Sequence, residues 1–458
     1  MPSRLCQRTT FIVTAFSLAA SLFLSTPISA QEVPPPLSGI ELADGDSIVF
    51  LGDSITHQCL YTQYVEDFLY TRFPHLRLKV HNAGVGGAKA WDALQRFDKD
   101  VAAYQPKYVT VLLGMNDGSY RPYDEQVFQT YRQDMTTLVG KITETGATPI
   151  LMTPTMFDAR AKRLYNQNRP GDPETNALYN SVLAFYGTWC REVAVEQGHG
   201  FVDMWSPLNN LTLEQRKTDP SFTMIRDAVH PGPDGQLVMA VAIVTDMQLP
   251  RQVSTLRLSK TPKGQWTARA TGGEAGEVTE DDGVLSFEFK SNALPWVVPE
   301  DAALGAKLTK LGHRLSREAV EVHGFAPGQY ELEIDGTVVG KYSAEALERH
   351  IELQENAKTP QHQQAMKVAM LNKERNEGPV RSLRGEWSRF QQYARVRRQV
   401  EENPDNQGFK DQLAKLEEAI MGMDDRVAEH NAAAKQIEDR IFEANQPQTR
   451  KYVLRRVK

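Results

Sequence analysis

Three polar segments, far apart in the chain, carry side chains that together are suited to acyl transfer. The first contains Ser54, the second Asn116, and the third the pair Asp227 and His230. A serine attacks a carbonyl carbon efficiently when a histidine takes its proton and an acidic side chain orients that histidine. An asparagine amide can donate a hydrogen bond to the oxygen that becomes negative during the attack. These residue types therefore predict a nucleophile, a base with its orienting acid, and an oxyanion donor.

The elements around these residues predict a parallel sheet that gathers them at one edge. Apolar runs typical of buried strands alternate with amphipathic, helix-like segments from about residue 45 to 250, which favours helices on both faces of a parallel sheet. The predicted strands are 47–51, 78–82, 107–113, 148–153 and 200–203, and the predicted helices lie near 61–72, 90–103, 126–144, 175–196 and 233–248. Ser54 and Asn116 directly follow two of these strands. Ligands of such sheets bind beyond the carboxyl ends of the strands, where these residues should meet.

Four short blocks in this region resemble the SGNH or GDSL hydrolases, the GDSL-like lipases and acylhydrolases. Gly52-Asp-Ser-Ile-Thr56 is similar to the first block, with isoleucine where the family name has leucine. Asn82-Ala-Gly-Val-Gly-Gly87 resembles the second block, Gly114-Met-Asn-Asp117 the third and Asp227-Ala-Val-His230 the last. The four blocks in order are far more specific than any one of them. The resemblance covers about residues 45–250 and implies a flavodoxin-like sheet and hydrolysis of esters or thioesters.

Ser54 is the predicted nucleophile, His230 the predicted base, and Asp227 the acid that fixes the histidine tautomer. Two alternatives compete with this interpretation. The pair Asp53 and Ser54 could merely cap a helix, and Asp-x-x-His could be a pair of metal ligands. A zinc site needs at least a third ligand, however, and no His or Cys cluster lies at a suitable spacing. Neither a metal nor an organic cofactor is therefore expected.

The resemblance implies that Gly87 and Asn116 form an oxyanion hole, with the backbone N–H of Ser54 as a third donor. A glycine can bring its N–H close to a reacting oxygen because it has no Cβ. His57 lies near Ser54 but matches no family position, so it is interpreted as a pocket wall or a surface residue. The polar connection from Phe157 to Pro173 is expected either to overhang the active site and influence substrate choice or to be a solvated loop.

The N-terminus predicts export. Arg4 and Arg8 precede an apolar stretch, Phe11–Leu24, and small residues lead to Ala30. This pattern is typical of a cleaved secretory signal, here residues 1–30, although an uncleaved membrane anchor is the alternative. The mature protein is expected to be periplasmic or secreted, without stable membrane insertion. Of the cysteines that remain, Cys59 and Cys190 could form a disulfide in an oxidising compartment, or could be two buried thiols.

The predicted hydrolase domain spans residues 31–250 and is followed by two regions of different character. Residues 251–345 predict a small β-rich module, in which residues 330–340 form a hairpin with Asp335-Gly336 as its turn. Residues 346–458 predict an antiparallel helical hairpin, which either packs on its own domain or acts as a dimerisation or lid element that makes a homo-oligomer. The basic end, residues 450–458, is expected to be a solvated tail or a short edge strand.

The combined prediction is an exported serine esterase that hydrolyses small acyl groups, such as acetyl, from carbohydrate. The 458 residues carry a net charge of −6, whereas a nucleic-acid partner would normally demand a basic face. A small-molecule or polysaccharide ester is therefore the expected partner. The alternatives are a lysophospholipase- or thioesterase-type acylhydrolase and a scaffold whose helical hairpin mediates assembly.

Overall fold

A parallel five-stranded sheet positions the predicted site residues. The structure is a computed structural model and describes residues 34–168 and 171–457, so the predicted signal segment lies outside the described residues. The strand order is β2-β1-β3-β4-β5, and all neighbours are parallel. The strands are β1 (Ser47–Gly52), β2 (Lys79–Gly84), β3 (Tyr108–Leu112), β4 (Thr148–Met152) and β5 (Gly200–Val202). The predicted flavodoxin-like sheet is confirmed.

Helices cover both faces of this sheet because its strands are apolar on both sides. In β1, Ile48 and Phe50 join one buried cluster, while Val49 and Leu51 join the other. The helices are α1 (Ser54–His57), α2 (Leu60–Arg72), α3 (Ala90–Asp100), α4 (Glu125–Glu144), α5 (Ala159–Tyr165), α6 (Pro173–Gln197), α7 (Trp205–Arg216) and α8 (Pro233–Asp246). Residues of α2 and α8 pack in the first cluster, and residues of α3, α4 and α6 pack in the second.

The two cysteines lie in different parts of the core. Cys59 and Cys190 are buried free thiols, which confirms the second of the two alternatives considered for them. Cys190 belongs to the cluster on the α6 side of the sheet, whereas Cys59 packs with Val380 and Ala434. Burial raises the pKa of both thiols to about 12, so both are protonated at neutral pH.

Two further sheets follow the central one. One has the order β13-β12-β15-β10-β8, with β9 also pairing with β10, and the other has the order β14-β11-β6-β7. Their apolar faces share one cluster, which includes Leu258, Phe287, Val322 and Leu332. The strands are β6 (Gln252–Lys260), β7 (Trp266–Thr271), β8 (Gly273–Ala275), β9 (Thr279–Asp281), β10 (Val284–Ser291), β11 (Arg317–His323), β12 (Gln329–Ile334), β13 (Thr337–Ser343), β14 (Ile351–Glu352) and β15 (Arg450–Arg456).

The predicted hairpin is formed by β12 and β13. The two residues between these strands, Asp335 and Gly336, both have positive φ, at 49° and 83°. A two-residue turn with φ positive at both positions matches the right-handed twist of the flanking strands. The hairpin and its turn are therefore confirmed.

The C-terminal helices pack on the hydrolase domain of their own chain. Residues Leu383 and Trp387 of one helix and Met423 of another complete the buried cluster on the α3 side of the sheet. The helices of this half of the chain are α9 (Ala303–Thr309), α10 (Leu311–Leu315), α11 (Ala344–Arg349), α12 (Pro360–Arg375), α13 (Arg381–Glu402), α14 (Gln407–Ile420) and α15 (Met423–Ala444), and a π-helical turn, Asn376–Val380, joins α12 to α13. The buried apolar residues of α13 thus face the domain of the central sheet, and oligomerisation stays a prediction.

The basic C-terminal segment is neither a solvated tail nor an edge strand, so that prediction was wrong. Strand β15 pairs antiparallel with β10 on one side and with β12 on the other. Its alternate residues Tyr452 and Leu454 are buried in the core between the two sheets. Arg455 bonds Glu333 across the strand pair. The segment alternates apolar residues, which face the core, with charged residues. It forms a central strand whose two partners lie far away in the sequence.

A buried ionic cluster joins α13 to the central sheet. The Asp100 carboxylate accepts hydrogen bonds from Arg96 (Nη1, 2.8 Å) and from Arg384 of α13 (2.7 and 2.9 Å). Burial favours a raised pKa for Asp100, but Arg384, His81 and Arg96 outweigh it and hold the pKa well below its usual range. Arg96 also donates to the carbonyl oxygens of Ala83 (2.8 Å) and Gly52 (3.2 Å). The cluster therefore connects α13 to the carboxyl ends of β1 and β2.

Candidate active site

Ser54 lies on a sharp turn between β1 and α1. Strand β1 ends at Gly52, where a Cβ would come within 2.1 Å of the Thr56 hydroxyl oxygen, so only glycine fits this turn. The helix cap is Asp53, whose Oδ1 accepts the N–H of Ile55 at 2.9 Å. Because Asp53 makes the cap, the hydroxyl of Ser54 is left to bond elsewhere.

A continuous hydrogen-bond chain runs from Asp227 through His230 to Ser54. The Nε2 atom of His230 lies 2.7 Å from the Ser54 Oγ, and its Nδ1 atom lies 2.6 Å from the Asp227 Oδ2. The other carboxylate oxygen, Oδ1, accepts the backbone N–H groups of Val229 (2.9 Å) and His230 (2.8 Å). The backbone of its own turn therefore fixes the Asp227 carboxylate, and this carboxylate orients the imidazole of His230.

The electrostatics of this chain favour a charged aspartate and a basic histidine. The hydrogen bond from His230 to Asp227 raises the pKa of the imidazole, against the opposing effect of partial burial. Burial would raise the pKa of Asp227, but the hydrogen bonds from the His230 ring and from two backbone N–H groups prevail and lower it to about 2. At neutral pH Asp227 is thus ionised and stabilises a proton on His230, as a base that takes a serine proton requires.

The polar segment that begins at Phe157, expected either to overhang the site or to be a solvated loop, supports the turn that carries Asp227. Its first part is the helix α5, capped by the buried side chain of Asp158. The Asp158 carboxylate accepts two hydrogen bonds from Arg216 (2.7 and 2.9 Å) and one from Thr223 (2.6 Å), and its N–H donates to the Ala228 carbonyl at 2.9 Å. The Ala228 backbone has a positive φ of 80°. These bonds hold a strained turn in place.

Asn116 lies beside the nucleophile turn, with its amide held by three neighbours. The Nδ2 atom donates to the Ala88 carbonyl at 3.1 Å and lies 3.4 Å from the Asp53 Oδ2, a long hydrogen bond. The Tyr120 hydroxyl donates to the Asn116 Oδ1 at 3.2 Å. Tyr120, which sequence reasoning missed, therefore fixes the orientation of the amide. Its position four residues after Asn116 was the only feature of the sequence that could have indicated this contact.

The glycine segment of the second block folds against the nucleophile turn. At Gly84 a Cβ would lie 2.3 Å from the backbone nitrogen of His57, so glycine is required for this close approach. Further along, the N–H of Gly86 donates to the His57 Nδ1 at 3.2 Å. Burial, followed by the nearby arginines, lowers the pKa of His57 to about 4, so the ring is neutral and accepts this bond. His57 is thus a support of the glycine segment, a role that sequence reasoning missed.

A groove of about 730 Å³ opens beside Gly87 and Asn116. One wall comes from the hydrolase domain, with Trp91 and Tyr120 among its residues, and the opposite wall comes from α13. The α13 residues that line the groove are Arg395, Arg398, Gln399 and Glu402. Sequence reasoning assigned no site residue to α13, since nothing local in its sequence relates it to the blocks.

The described residues contain no group of three or more His, Cys, Asp or Glu side chains arranged to hold a metal ion. Within those same residues, no helix combines the length and the hydropathy that crossing a membrane requires. The arrangement that the structure does bring together is a serine hydroxyl, an imidazole and a carboxylate in hydrogen-bond contact, beside a groove with amide and N–H donors. Such an arrangement can activate a hydroxyl for attack on a carbonyl carbon.

These features define a hydrolase with the flavodoxin-like SGNH fold. Residues 50–238 match the GDSL-like lipase/acylhydrolase family, and they therefore form a domain of that family. An acetylxylan esterase of Geobacillus stearothermophilus is 26% identical over 231 residues, which are 45% of this chain and 96% of the relative. The family and this relative identify the chain as an ester-hydrolysing enzyme.

Two further proteins resemble this chain over different lengths. The solved structure of a gut microbial diltiazem-metabolizing enzyme superposes with a TM-score of 0.77 at 26% identity, covering 92% of this chain and 99% of that protein. An uncharacterized lipoprotein of Bacillus subtilis is 34% identical over 80 residues, which are 17% of this chain and 32% of that protein. The first of these likenesses includes the regions beyond the GDSL-like domain.

The Asp227–His230 contact makes a prediction about titration. We expect His230 to titrate above the ordinary histidine value of about 6.5, and Asp227→Asn to lower its pKa because the charged acceptor is lost. NMR titration of the imidazole in both proteins measures the difference. Asp219→Asn removes an exposed carboxylate from the same stretch of chain and is the control, with no expected change. An unchanged His230 pKa in Asp227→Asn would contradict the prediction.

Proposed function

We propose that Ser54, His230 and Asp227 form the catalytic triad of a serine esterase. The observation that carries the proposal is the hydrogen-bond chain from Asp227 Oδ2 through the imidazole to Ser54 Oγ, with links of 2.6 and 2.7 Å. Ser54 Oγ attacks the ester carbonyl while its proton moves to His230 Nε2. The protonated His230, stabilised by Asp227, then gives this proton to the departing alcohol, which leaves an acyl-serine.

The second half of the reaction uses the same residues with water as the nucleophile. His230 takes a proton from the water while the water oxygen attacks the acyl carbon. The proton then returns to Ser54 Oγ as the acyl–oxygen bond breaks, which releases the carboxylic acid and restores the enzyme. No group other than water is consumed in this step.

The N–H of Gly87, the side-chain amide of Asn116 and the N–H of Ser54 form the proposed oxyanion hole. The second amide proton of Asn116 makes only the long contact to Asp53, so the amide keeps a weakly used donor for a substrate oxygen without changing its orientation. Burial raises the pKa of Asp53 to about 6, although the Ile55 N–H and the charge of His230 oppose this effect. Because its amide does not ionise, Asn116 adds a neutral donor that needs no proton exchange during the reaction.

The proposed substrate is a small acyl ester, such as acetyl, on a carbohydrate. The acetylxylan esterase relative supports this class, since its similarity spans almost the whole of that protein. The groove beside the site is lined by polar and charged residues together with Trp91 and Tyr120, and such a mixture suits a hydroxyl-rich ligand. A small-molecule ester is the second candidate, favoured by the likeness to the diltiazem-metabolizing enzyme along nearly the whole chain.

Variants of the triad and the oxyanion hole test the mechanism. We expect Ser54→Ala to abolish hydrolysis of 4-nitrophenyl acetate, and Asn116→Ala to lower kcat by about 10²–10³, the usual effect of losing an oxyanion donor. Ser382→Ala and Asn403→Ala change exposed residues of α13 and of the following loop, and they should behave as wild type. Labelling by a fluorophosphonate should require Ser54. Equal hydrolysis by wild type and Ser54→Ala would reject the triad and favour the scaffold alternative.

Substrate preference is tested by comparing acyl chains and alcohols. We expect release of acetate from acetylated xylan or xylooligosaccharides, and a sharp decrease in kcat/KM from acetate to long-chain 4-nitrophenyl esters. The measurement is acid release by wild type beside Ser54→Ala. Hydrolysis of lysophospholipids without acetate release from the polysaccharide would instead assign the enzyme to the lysophospholipase type. Turnover confined to small synthetic acetates would favour the small-molecule candidate.

Export is also part of the proposal, because the N-terminal pattern of Arg4, Arg8 and the apolar stretch Phe11–Leu24 is that of a secretory signal. We expect the chain expressed in a bacterial host to appear outside the cytoplasm with an N-terminus at about Gln31. N-terminal sequencing of the fractionated protein makes the measurement, and replacement of Arg4 and Arg8 by Glu provides a matched variant. An intact N-terminus retained in the cytoplasm would contradict the proposal.

A further inference from the structure

Helix α13 lies outside the family match at residues 50–238, yet two of its side chains bond the backbone of the glycine segment. The Gln391 Nε2 donates to the carbonyl oxygen of Gly86 at 2.9 Å. One turn further along, the Arg395 Nη2 donates to the carbonyl oxygen of Gly87 at 2.7 Å. Two consecutive carbonyl groups of the proposed oxyanion segment are therefore held from the C-terminal half of the chain.

The first of these bonds acts on the peptide group that carries the proposed oxyanion donor. The carbonyl of Gly86 and the N–H of Gly87 belong to one planar peptide unit, in which a trans geometry points the C=O and the N–H in opposite directions. A bond that fixes the carbonyl therefore also fixes the direction of the N–H. A hydrogen bond accepted by the oxygen further polarises the unit and makes its N–H a stronger donor.

Gly86 and Gly87 need such support because they have no side chains that could hold them in place. A Cβ at Gly86 or Gly87 would meet no atom within 4 Å, and Gly87 has a positive φ of 68°. Neither packing nor a preferred backbone conformation thus restricts this peptide. The described hydrogen bonds of Gly86 and Gly87 are those from Gln391 and Arg395 and the bond from the Gly86 N–H to His57.

Both α13 side chains are themselves held in place. Gln391 is buried, with 4% of its surface exposed, so its amide has little freedom to turn away. The Arg395 guanidinium makes a bidentate pair with Asp92 of α3, with both N–O distances at 2.7 Å. Asp92 also accepts the N–H of Lys89 at 2.8 Å, so Arg395 connects α13 to the chain that follows the glycine segment.

We propose that Gln391 and Arg395 are positioning residues for the oxyanion hole, so that a helix beyond the GDSL-like domain completes its active site. Gln391 aims the Gly87 N–H at the oxyanion, and Arg395 fixes the next peptide. This inference rests on the proposed function, because it assigns Gly87 as an oxyanion donor. It predicts a defect in the chemical step rather than in substrate binding.

The test replaces Gln391 with methionine, which keeps the length of the side chain and removes the donor. Since losing an oxyanion donor outright costs about 10²–10³ in rate, we expect misalignment to lower kcat by about 10-fold, with KM changed by less than about 2-fold. The melting temperature should not fall, because the Gln391 Oε1 is buried without a hydrogen-bond partner among the described residues, and methionine removes that unpaired atom. Gln392→Met, on the exposed neighbouring residue, is the matched control and should retain wild-type kcat.

Two variants of Arg395 test the second side chain that holds the glycine segment. Arg395→Met should lower kcat with little change in KM, and Arg395→Lys should recover only part of the loss, because lysine cannot make the bidentate pair with Asp92. If Gln391→Met does not fold, this pair decides the outcome. A wild-type kcat in folded Gln391→Met would overturn the inference without affecting the proposed triad. If Gln391→Met does not fold, a wild-type kcat in Arg395→Met would overturn it in the same way. Absence of Ser54-dependent hydrolysis in wild type would overturn the proposed function and this inference together.

Discussion

The buried carboxylate of Asp100 is the interaction on which the relation between the two halves of the chain depends. It lies between Arg96, which bonds the carbonyl oxygens of Gly52 and Ala83, and Arg384, which belongs to α13. Removing one partner of a buried ion pair typically costs about 3–5 kcal/mol, since a charge is left without compensation. Asp100 therefore fixes the direction in which α13 leaves the sheet. Only with that direction fixed do Gln391 and Arg395 reach the glycine segment about two and three turns later.

The comparisons divide the chain in a way that agrees with this dependence. The acetylxylan esterase relative matches 45% of the chain, so a protein of that size has no counterpart of most of the remaining residues. The diltiazem-metabolizing enzyme matches 92% of the chain with the same overall architecture. The added sheets and helices are thus shared with one enzyme and lacking in the other. In this chain, α13 forms one wall of the groove beside Gly87 and Asn116, so the added residues belong to the surroundings of the site.

The features predicted correctly from the sequence are those whose signals are local. The five parallel strands are short apolar runs between helical patterns, and the contact between Ser54, His230 and Asp227 follows from blocks that each carry their own turn. The features missed depend on partners distant in the sequence. Strand β15 was expected to be a solvated tail or a short edge strand, because β10 and β12 lie more than a hundred residues before it. The helical hairpin that includes α13 was predicted, but the contacts of α13 with the glycine segment were missed, because they leave no periodic trace in the sequence. The polar connection after β4 was expected either to overhang the site or to be a solvated loop. Its support of the turn that carries Asp227 was missed, because it depends on the pairing of Asp158 with the distant Arg216.

The central place of β15 in its sheet has a consequence for how the protein assembles. Strands β10 and β12 do not pair with each other, and β15 lies between them, paired with one edge of each. During synthesis both strands must therefore wait, with unpaired edges, until the helices from α12 to α15 have been made and β15 emerges. Pairing over such sequence separations is slow, and exposed edges invite association with other chains. The sheet that contains β15 can therefore be completed only after the C-terminal helices have been synthesised.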